Sequence, residues 1–181
     1  MTRKILIASL LGTLAMFLWT FVAHMALPLG EAGIKQIDNE ETLLASMQSV
    51  LPGHGIYLFP NMPPGMTQEQ YMEKTAKGPS GLLIYFPQRN FNFAQALGVE
   101  FFTEFAQMLV AMGLLSLTRL NTFGARMLFF AAAGVMVTIH TNVSYWNWYG
   151  FPTTYTLGYI FTGFTAYLCA GLVAAWRKIG G

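Results

Sequence analysis

Residues 5–27 read ILIASLLGTLAMFLWTFVAHMAL, a run that contains no acidic residue, no lysine and no arginine. A helix needs about 20 predominantly apolar residues to cross the hydrocarbon core of a bilayer, and this run is long enough. Further apolar runs of similar length occupy roughly residues 93–117, 125–145 and 155–176. The repeated pattern predicts an all-α membrane protein, a bundle of four transmembrane helices.

The composition of the whole chain agrees with this interpretation. Of its 181 residues, 54% are hydrophobic and only 10% are charged. Soluble domains carry about 25% charged residues, so a chain this poor in charge is typical of a protein that lies in lipid.

The first apolar run also has features of a secretory signal, because Arg3 and Lys4 precede it. Its length exceeds the usual apolar core of a signal peptide, which is about 7–15 residues. Cleavage after Ala26 would place the bulky His24 where a small residue is needed. We therefore expect residues 1–27 to be an uncleaved transmembrane helix.

The distribution of charge predicts how the chain is oriented, since cytoplasmic loops are enriched in lysine and arginine. With a cytoplasmic amino terminus, four spans place six basic residues and no acid inside: Arg3, Lys4, Arg119, Arg126, Arg177 and Lys178. We expect an integral membrane protein, in a bacterial inner membrane, with both termini cytoplasmic. The net charge of +2 reflects this sidedness, and it gives no reason to expect a nucleic-acid partner.

Between the first two spans, residues 28–95 form a long polar segment that we expect to be a small α+β extracytoplasmic cap, a periplasmic loop. Asn39 is placed to cap one helix, and Thr67 to Gln70 has the spacing of a capping box for a second helix. Residues 53–60 and 79–87 are expected to form neighbouring strands with the helices on one side. Such a short segment builds only a marginal core, so the cap either leans on the bundle or is covered by another protein. Residues 96–181 then contain the remaining spans.

Two acids lie inside the second span. Glu100 and Glu104 stand four residues apart, on one face of a helix. Inserting an acidic side chain near the bilayer centre costs about 2.5 kcal/mol or more of free energy, so these carboxyls should face the bundle or a wet cavity. We expect one intramembrane polar cluster, composed of Glu100, Glu104, Gln107, His140, His24 and Asn142.

The chemistry of this cluster has three alternatives: a structural hydrogen-bond network, a path for protons or ions, or a site for a metal or a quinone. Two Glu and two His side chains are able to bind zinc, iron or manganese in a helix bundle. The Glu-x-x-His spacing of di-iron bundles and the HEXXH motif are both absent from the sequence. The sequence therefore requires no cofactor.

Small residues recur every four positions in the fourth span, a pattern that lets a neighbouring backbone approach closely. The expected partner is another span, with residues 131–134 as a match, or a different subunit. The stripe consists of Gly158, Thr162, Ala166, Ala170 and Ala174.

Aromatic side chains crowd the stretch HTNVSYWNWYGFPTTYTLGY, residues 140–159. Rings with polar tips anchor helices at the headgroup level of a membrane, which explains most of this density. The rings beyond those needed for anchoring suggest an interfacial docking ledge for a lipid, a pigment, a quinone or a neighbouring protein. The ledge consists of Tyr145, Trp146, Trp148, Tyr149 and Phe151.

No recognisable catalytic motif accompanies these features, and the lone Cys169 excludes an internal disulfide. The sequence favours an accessory or scaffold subunit, without catalysis of its own, that packs against other subunits of a larger membrane complex. The alternatives are a small proton- or ion-coupled transporter using Glu100 and Glu104, or a metal- or quinone-dependent redox protein.

Overall fold

The computed structural model describes residues 3–180. The chain is mostly helical, with a small two-stranded sheet. Four of the described helices are long and apolar enough to cross a membrane, as the apolar runs predicted. They are α1 (Arg3–Met25), α4 (Phe93–Ser116), α5 (Phe123–Tyr149) and α6 (Thr153–Trp176).

Local sequence signals set the ends of the long helices. Asn92 caps α4, because its side chain accepts a hydrogen bond from the Gln95 N–H. Thr122 caps α5 in the same way. Gly150 ends α5 in a left-handed conformation with φ of 71°, which glycine adopts without a steric penalty. α6 begins after Pro152 and has no side-chain cap.

The chain divides into two compact units. The helical unit comprises Met1–Ile34 and Asn92–Gly181, and the cap unit comprises Lys35–Phe91. The cap unit thus lies within the predicted segment 28–95. The turn that follows α1, including a short 3-10 helix at Leu29–Glu31, packs with α1 and α6 instead.

Within the helical unit, α1 packs between α4 and α6, and α5 packs along the other side of α6. α4 and α5 touch each other very little. Fully buried side chains at the helix contacts include Met108 and Met112 of α4 and Phe130 of α5. The order of packing is therefore α4, α1, α6, α5, with a gap between the first and last.

The cap unit contains α2 (Glu40–Val50), β1 (Gly55–Phe59), α3 (Gln68–Lys77) and β2 (Gly81–Tyr85). The strands are neighbours, as expected, and they pair antiparallel, with Ile56 opposite Ile84 and Leu58 opposite Leu82. The capping box of α3 is also confirmed.

Two details of the cap differ from the sequence prediction. Asn39 stands at the start of α2 in a left-handed conformation and makes no side-chain capping bond, since that bond needs an extended backbone at the cap. Neither described helix of the cap makes close main-chain contact with the strands, where a helical layer on one side of the sheet was expected. Neither helix contains a fully buried residue, and the half-buried side chains stand four residues apart, at Leu43 and Met47 of α2 and at Tyr71 and Thr75 of α3.

Candidate functional site

Glu104 is the acid that the fold places among other side chains. It lies on α4 where this helix meets α1, and only 4% of it is exposed. The Thr20 hydroxyl donates a hydrogen bond of 3.4 Å to Oε1 of Glu104. The second oxygen, Oε2, is buried and has no hydrogen-bond partner among the described residues. Thr20 was not predicted as a member of the cluster, and only the packing of α1 on α4 reveals it.

Thr20 also links Glu104 to His24. The backbone carbonyl of Thr20 lies 2.9 Å from His24 Nδ1, a distance at which a protonated Nδ1 donates to the carbonyl. The ring edge of His24 faces Tyr159 on α6. Gly30 of the 3-10 turn passes so close that a Cβ there would lie 2.2 Å from Cδ2 of His24, so only glycine fits. The structure thus holds three residues in one row: Glu104 on α4, and then Thr20 and His24, which lie one turn apart on α1.

The other predicted members lie elsewhere. Gln107 accepts a hydrogen bond of 3.0 Å from the Tyr167 hydroxyl of α6. Asn142 donates to the Thr138 carbonyl within its own helix. Glu100 and His140 are both exposed. Because α4 and α5 touch so little, the structure does not bring His140 into the row with Glu104.

Metal binding gains no support from this arrangement. Among residues 3–180, no three His, Cys, Asp or Glu side chains lie in positions to hold a metal ion together. The Glu104 carboxyl and the His24 ring are instead connected through the hydroxyl and the carbonyl of one threonine. The Glu104 carboxyl is able to hold a proton, but a backbone carbonyl does not relay one from there to His24, and the described residues offer too few ligands here for a metal.

The small-residue stripe of α6 is largely covered within the chain itself. Thr162, Ala166, Ala170 and Ala174 are buried, and the Trp19 indole donates a 2.8 Å hydrogen bond to the Thr162 carbonyl. A Cβ added at Gly158 would contact Ala32 and the Leu29 carbonyl in the turn after α1. The stripe therefore serves close packing on α1 and its turn.

The opposite side of α6 meets α5, where glycines again permit the approach. A Cβ added at Gly134 would lie 2.9 Å from Cβ of Tyr167, so Gly134 of the tetrad 131–134 packs on α6 beside the stripe. Cys169 is half-buried with a free thiol.

Three residues of the predicted ledge, Tyr145, Tyr149 and Phe151, make ring contacts with one another at the junction of α5 and α6. Tyr145 stacks on Phe151 at 5.2 Å between ring centroids, and Tyr149 meets Tyr145 edge to face. The Trp146 indole donates to the Thr153 hydroxyl. Trp148 is 79% exposed. The contacts continue from Phe151 to Tyr155, Tyr159 and His24, so the ledge adjoins the carboxy-terminal end of α1.

A groove of about 630 Å³ occupies the gap between α4 and α5, a feature that sequence analysis did not reveal. Its lining is apolar except for Gln107 and Tyr167, and it includes Ala106, Ala132 and Ala133. A shallower concavity of about 770 Å³ continues along α4 from the same Ala106 and Gln107 toward Gln95.

No family model, no curated protein and no solved structure matches this chain. Its function has to be inferred from its own geometry.

Proposed function

We propose that the chain is an accessory subunit of a larger membrane complex, without catalysis of its own. In this proposal the four long helices cross a bacterial inner membrane, both termini are cytoplasmic, and the cap is extracytoplasmic. The observation that carries the proposal is the apolar surface of the cap unit. Tyr85, 7% exposed, is the one buried hydrophobic residue among the described residues 35–91, and the strands present large apolar side chains outward.

The strand register concentrates this apolar surface on one face. Side chains directly opposite each other in an antiparallel pair lie on the same face, as Ile56 and Ile84 do. Ile56 is 70% exposed and Ile84 is 60% exposed, and Leu58, two residues along, is exposed beside them. An exposed, contiguous apolar patch marks an interaction surface.

The sheet edges support the same proposal. The described part of the chain contributes only two strands to the sheet, so each strand has one edge without a neighbour. An isolated two-stranded ribbon is marginally stable in water, and a strand or an apolar face from a partner stabilises it. The exposed rings of the ledge, Trp148 above all, offer a further aromatic surface on the helical unit for binding a protein.

Purification of the native protein in mild detergent tests the proposal. We expect a partner in fixed stoichiometry, retained in Gln48→Glu and lost in the double variant Ile56→Glu, Ile84→Glu. Gln48 is an exposed residue of α2 and serves as the matched control for added acidic charge in the cap. A chain that purifies alone, or a partner retained equally by both variants, contradicts the proposal.

The orientation has a separate test. A protease added from the outer side should cut only within residues 28–95 or the short turn at residues 146–154. Cleavage of the carboxy-terminal segment from that side would overturn the proposed topology.

One observation favours a second candidate, a small proton- or ion-coupled transporter. Oε2 of Glu104 is buried without a hydrogen-bond partner among residues 3–180, while its other oxygen is bonded to Thr20. Glu104→Gln preserves the shape and removes the ability to ionise. A transporter would lose proton- or ion-coupled uptake in vesicles with this variant and keep its fold. An accessory subunit would keep its partner, and vesicles containing the wild-type chain alone would show no uptake.

A further inference from the structure

A second face of α4, beside the face that packs on α1, has no partner within the described chain over most of its length. The two concavities along it share Ala106 and Gln107 and together extend from Gln95 to Leu114. At 1.5 Å per residue this distance is about 28 Å, close to the thickness of the hydrocarbon core. The face therefore has the length of a complementary transmembrane helix.

Gln107 gives this face a specific chemical requirement. Its Oε1 accepts from Tyr167, while its Nε2 has no acceptor among residues 3–180. Gln107 lies about 4 Å along the axis from the midpoint of α4, far from headgroups and from bulk water. Amide N–H groups in hydrocarbon need a partner, so whatever fills the groove should present a hydrogen-bond acceptor at this depth.

We propose that the groove is filled by α4 of a second copy of this chain, related by a two-fold axis along the membrane normal. Two copies inserted in the same direction hold Gln107 at the same depth. An amide is both donor and acceptor, and Oε1 keeps one lone pair after accepting from Tyr167. Each Gln107 then donates Nε2–H to Oε1 of the other, which satisfies both copies without a further component.

The shape of the groove agrees with this arrangement. In a two-fold dimer, α4 of each copy lies between α4 and α5 of the other, so one interface fills both grooves. The groove exists because α4 and α5 touch so little. Ala106, Ala132 and Ala133 line it and allow the incoming backbone to approach closely.

Disulfide crosslinking tests the geometry in liposomes, with insertion verified by protease protection. In a Cys169→Ser background, single cysteines replace Ala106, Val110 or Leu114 on the proposed interface. The control replaces Leu18, an exposed residue of α1 away from the groove. We expect crosslinked dimers from the α4 positions, strongest near Gln107, and none from Leu18. Equal crosslinking at Leu18, or none at any α4 position, overturns the proposal.

Energy transfer between differently labelled copies, diluted with lipid, tests the role of the amide. Gln107→Leu should weaken dimerisation about 3- to 30-fold, the effect of interhelical polar contacts in membranes. Ala132→Trp should abolish it by filling the groove, and the control Leu18→Trp should leave it unchanged. Tyr167→Phe removes only the bond within the chain, so it should retain the dimer.

The wild-type chain alone provides the deciding measurement. A monomer at every lipid dilution, or a dimer indifferent to both Gln107→Leu and Ala132→Trp, contradicts the proposal. So does a groove occupied by a different protein or by a lipid-soluble carbonyl compound in place of a second copy. The proposal depends on membrane insertion and is independent of the partner proposed for the cap.

Discussion

The helical unit and the cap unit expose similar kinds of side chain with opposite consequences. Leu18 on α1 and Ile56 on β1 are both large, apolar and well exposed. On a helix in lipid such exposure is expected, because the backbone is satisfied within the helix and the solvent is itself apolar. On a ribbon in water the same exposure is a liability, since the strand edges and the apolar face both remain open. If the four long helices lie in lipid as proposed, lipid covers most of the exposed apolar side chains of the helical unit, whereas only the proposed partner would cover those of the ribbon.

Individual glycines show where main chains approach closely in each unit. Gly134 and Gly171 of the helical unit sit where a Cβ would press on Tyr167 or Phe130. Gly53 and Gly65 of the cap have nothing within 4 Å of such a Cβ. At Gly134 and Gly171, close approach of main chains thus stabilises the helical unit, while in the cap a local signal, the capping box, begins α3. Substitutions at these features should affect the two units differently.

The largest expected effect comes from Gly134→Leu in the helical unit. Its Cβ would lie 2.9 Å from Cβ of Tyr167 and 3.3 Å from the Phe164 ring, so α5 and α6 have to separate. Overpacking of this kind costs about 1–3 kcal/mol, and we expect the upper end because leucine adds four carbons.

The free energy of unfolding in detergent checks this expectation. Gly113→Leu is the matched control, because a Cβ at Gly113 meets nothing within 4 Å and leucine favours helix over glycine. Equal losses in both variants would contradict a tight α5–α6 contact.

An intermediate effect is expected from Arg126→Met. The buried Arg126 donates from Nε to the Ile179 carbonyl at 2.6 Å and from Nη2 to the Gly180 carbonyl at 2.8 Å. Methionine keeps the apolar stem and leaves both carbonyls without this donor, at a cost of about 1–3 kcal/mol.

Limited proteolysis should show faster cleavage after residue 176 in Arg126→Met. The control Arg119→Met removes an exposed cation and should cleave at the wild-type rate. An unchanged rate in both variants would show that Arg126 does not hold this segment.

The smallest effect is expected in the cap, from Thr67→Ala. The variant loses the bond from the Gln70 N–H to the Thr67 hydroxyl, which begins α3. Loss of such a cap costs about 1 kcal/mol, so the amides of Gln68–Lys77 should exchange hydrogen about 5-fold faster.

The same exchange measurement should show no change in the helical unit. Thr75→Ala is the control, because its hydroxyl bonds only to the Tyr71 carbonyl in the middle of α3. Faster exchange throughout the helical unit would indicate that the two units unfold together.

The signals that could be read from sequence were those with a local physical cause. Twenty or more apolar residues predict a long helix, so the ends of α4 fell within a residue of the expected 93–117. Thr67 and Gln70 are three residues apart, and their capping box formed as expected. Asn39 lacked the expected capping bond, because the backbone at that residue turned left-handed.

The polar groups show where local reasoning ends. The sequence indicated that the Glu104 carboxyl needs a partner, because the free-energy cost of placing an acid in lipid depends on its depth. It did not identify Thr20, which lies 84 residues away and meets Glu104 only because α1 packs on α4. The shared cluster with His140 assumed that α4 and α5 are close neighbours, and these two helices touch little.

The sequence by itself determined the four long apolar helices, the strand pair and the capping box of α3, because hydrophobic length, alternation and spacing act within a few residues. Tertiary structure alone decided that α1 lies between α4 and α6, that the α6 stripe is covered inside the chain, and that a groove remains between α4 and α5. In a chain this apolar, every long helix has side chains suited to burial. Which faces meet depends on the fit of small residues such as Gly134 and Gly158 against particular neighbours, and no local pattern encodes that fit.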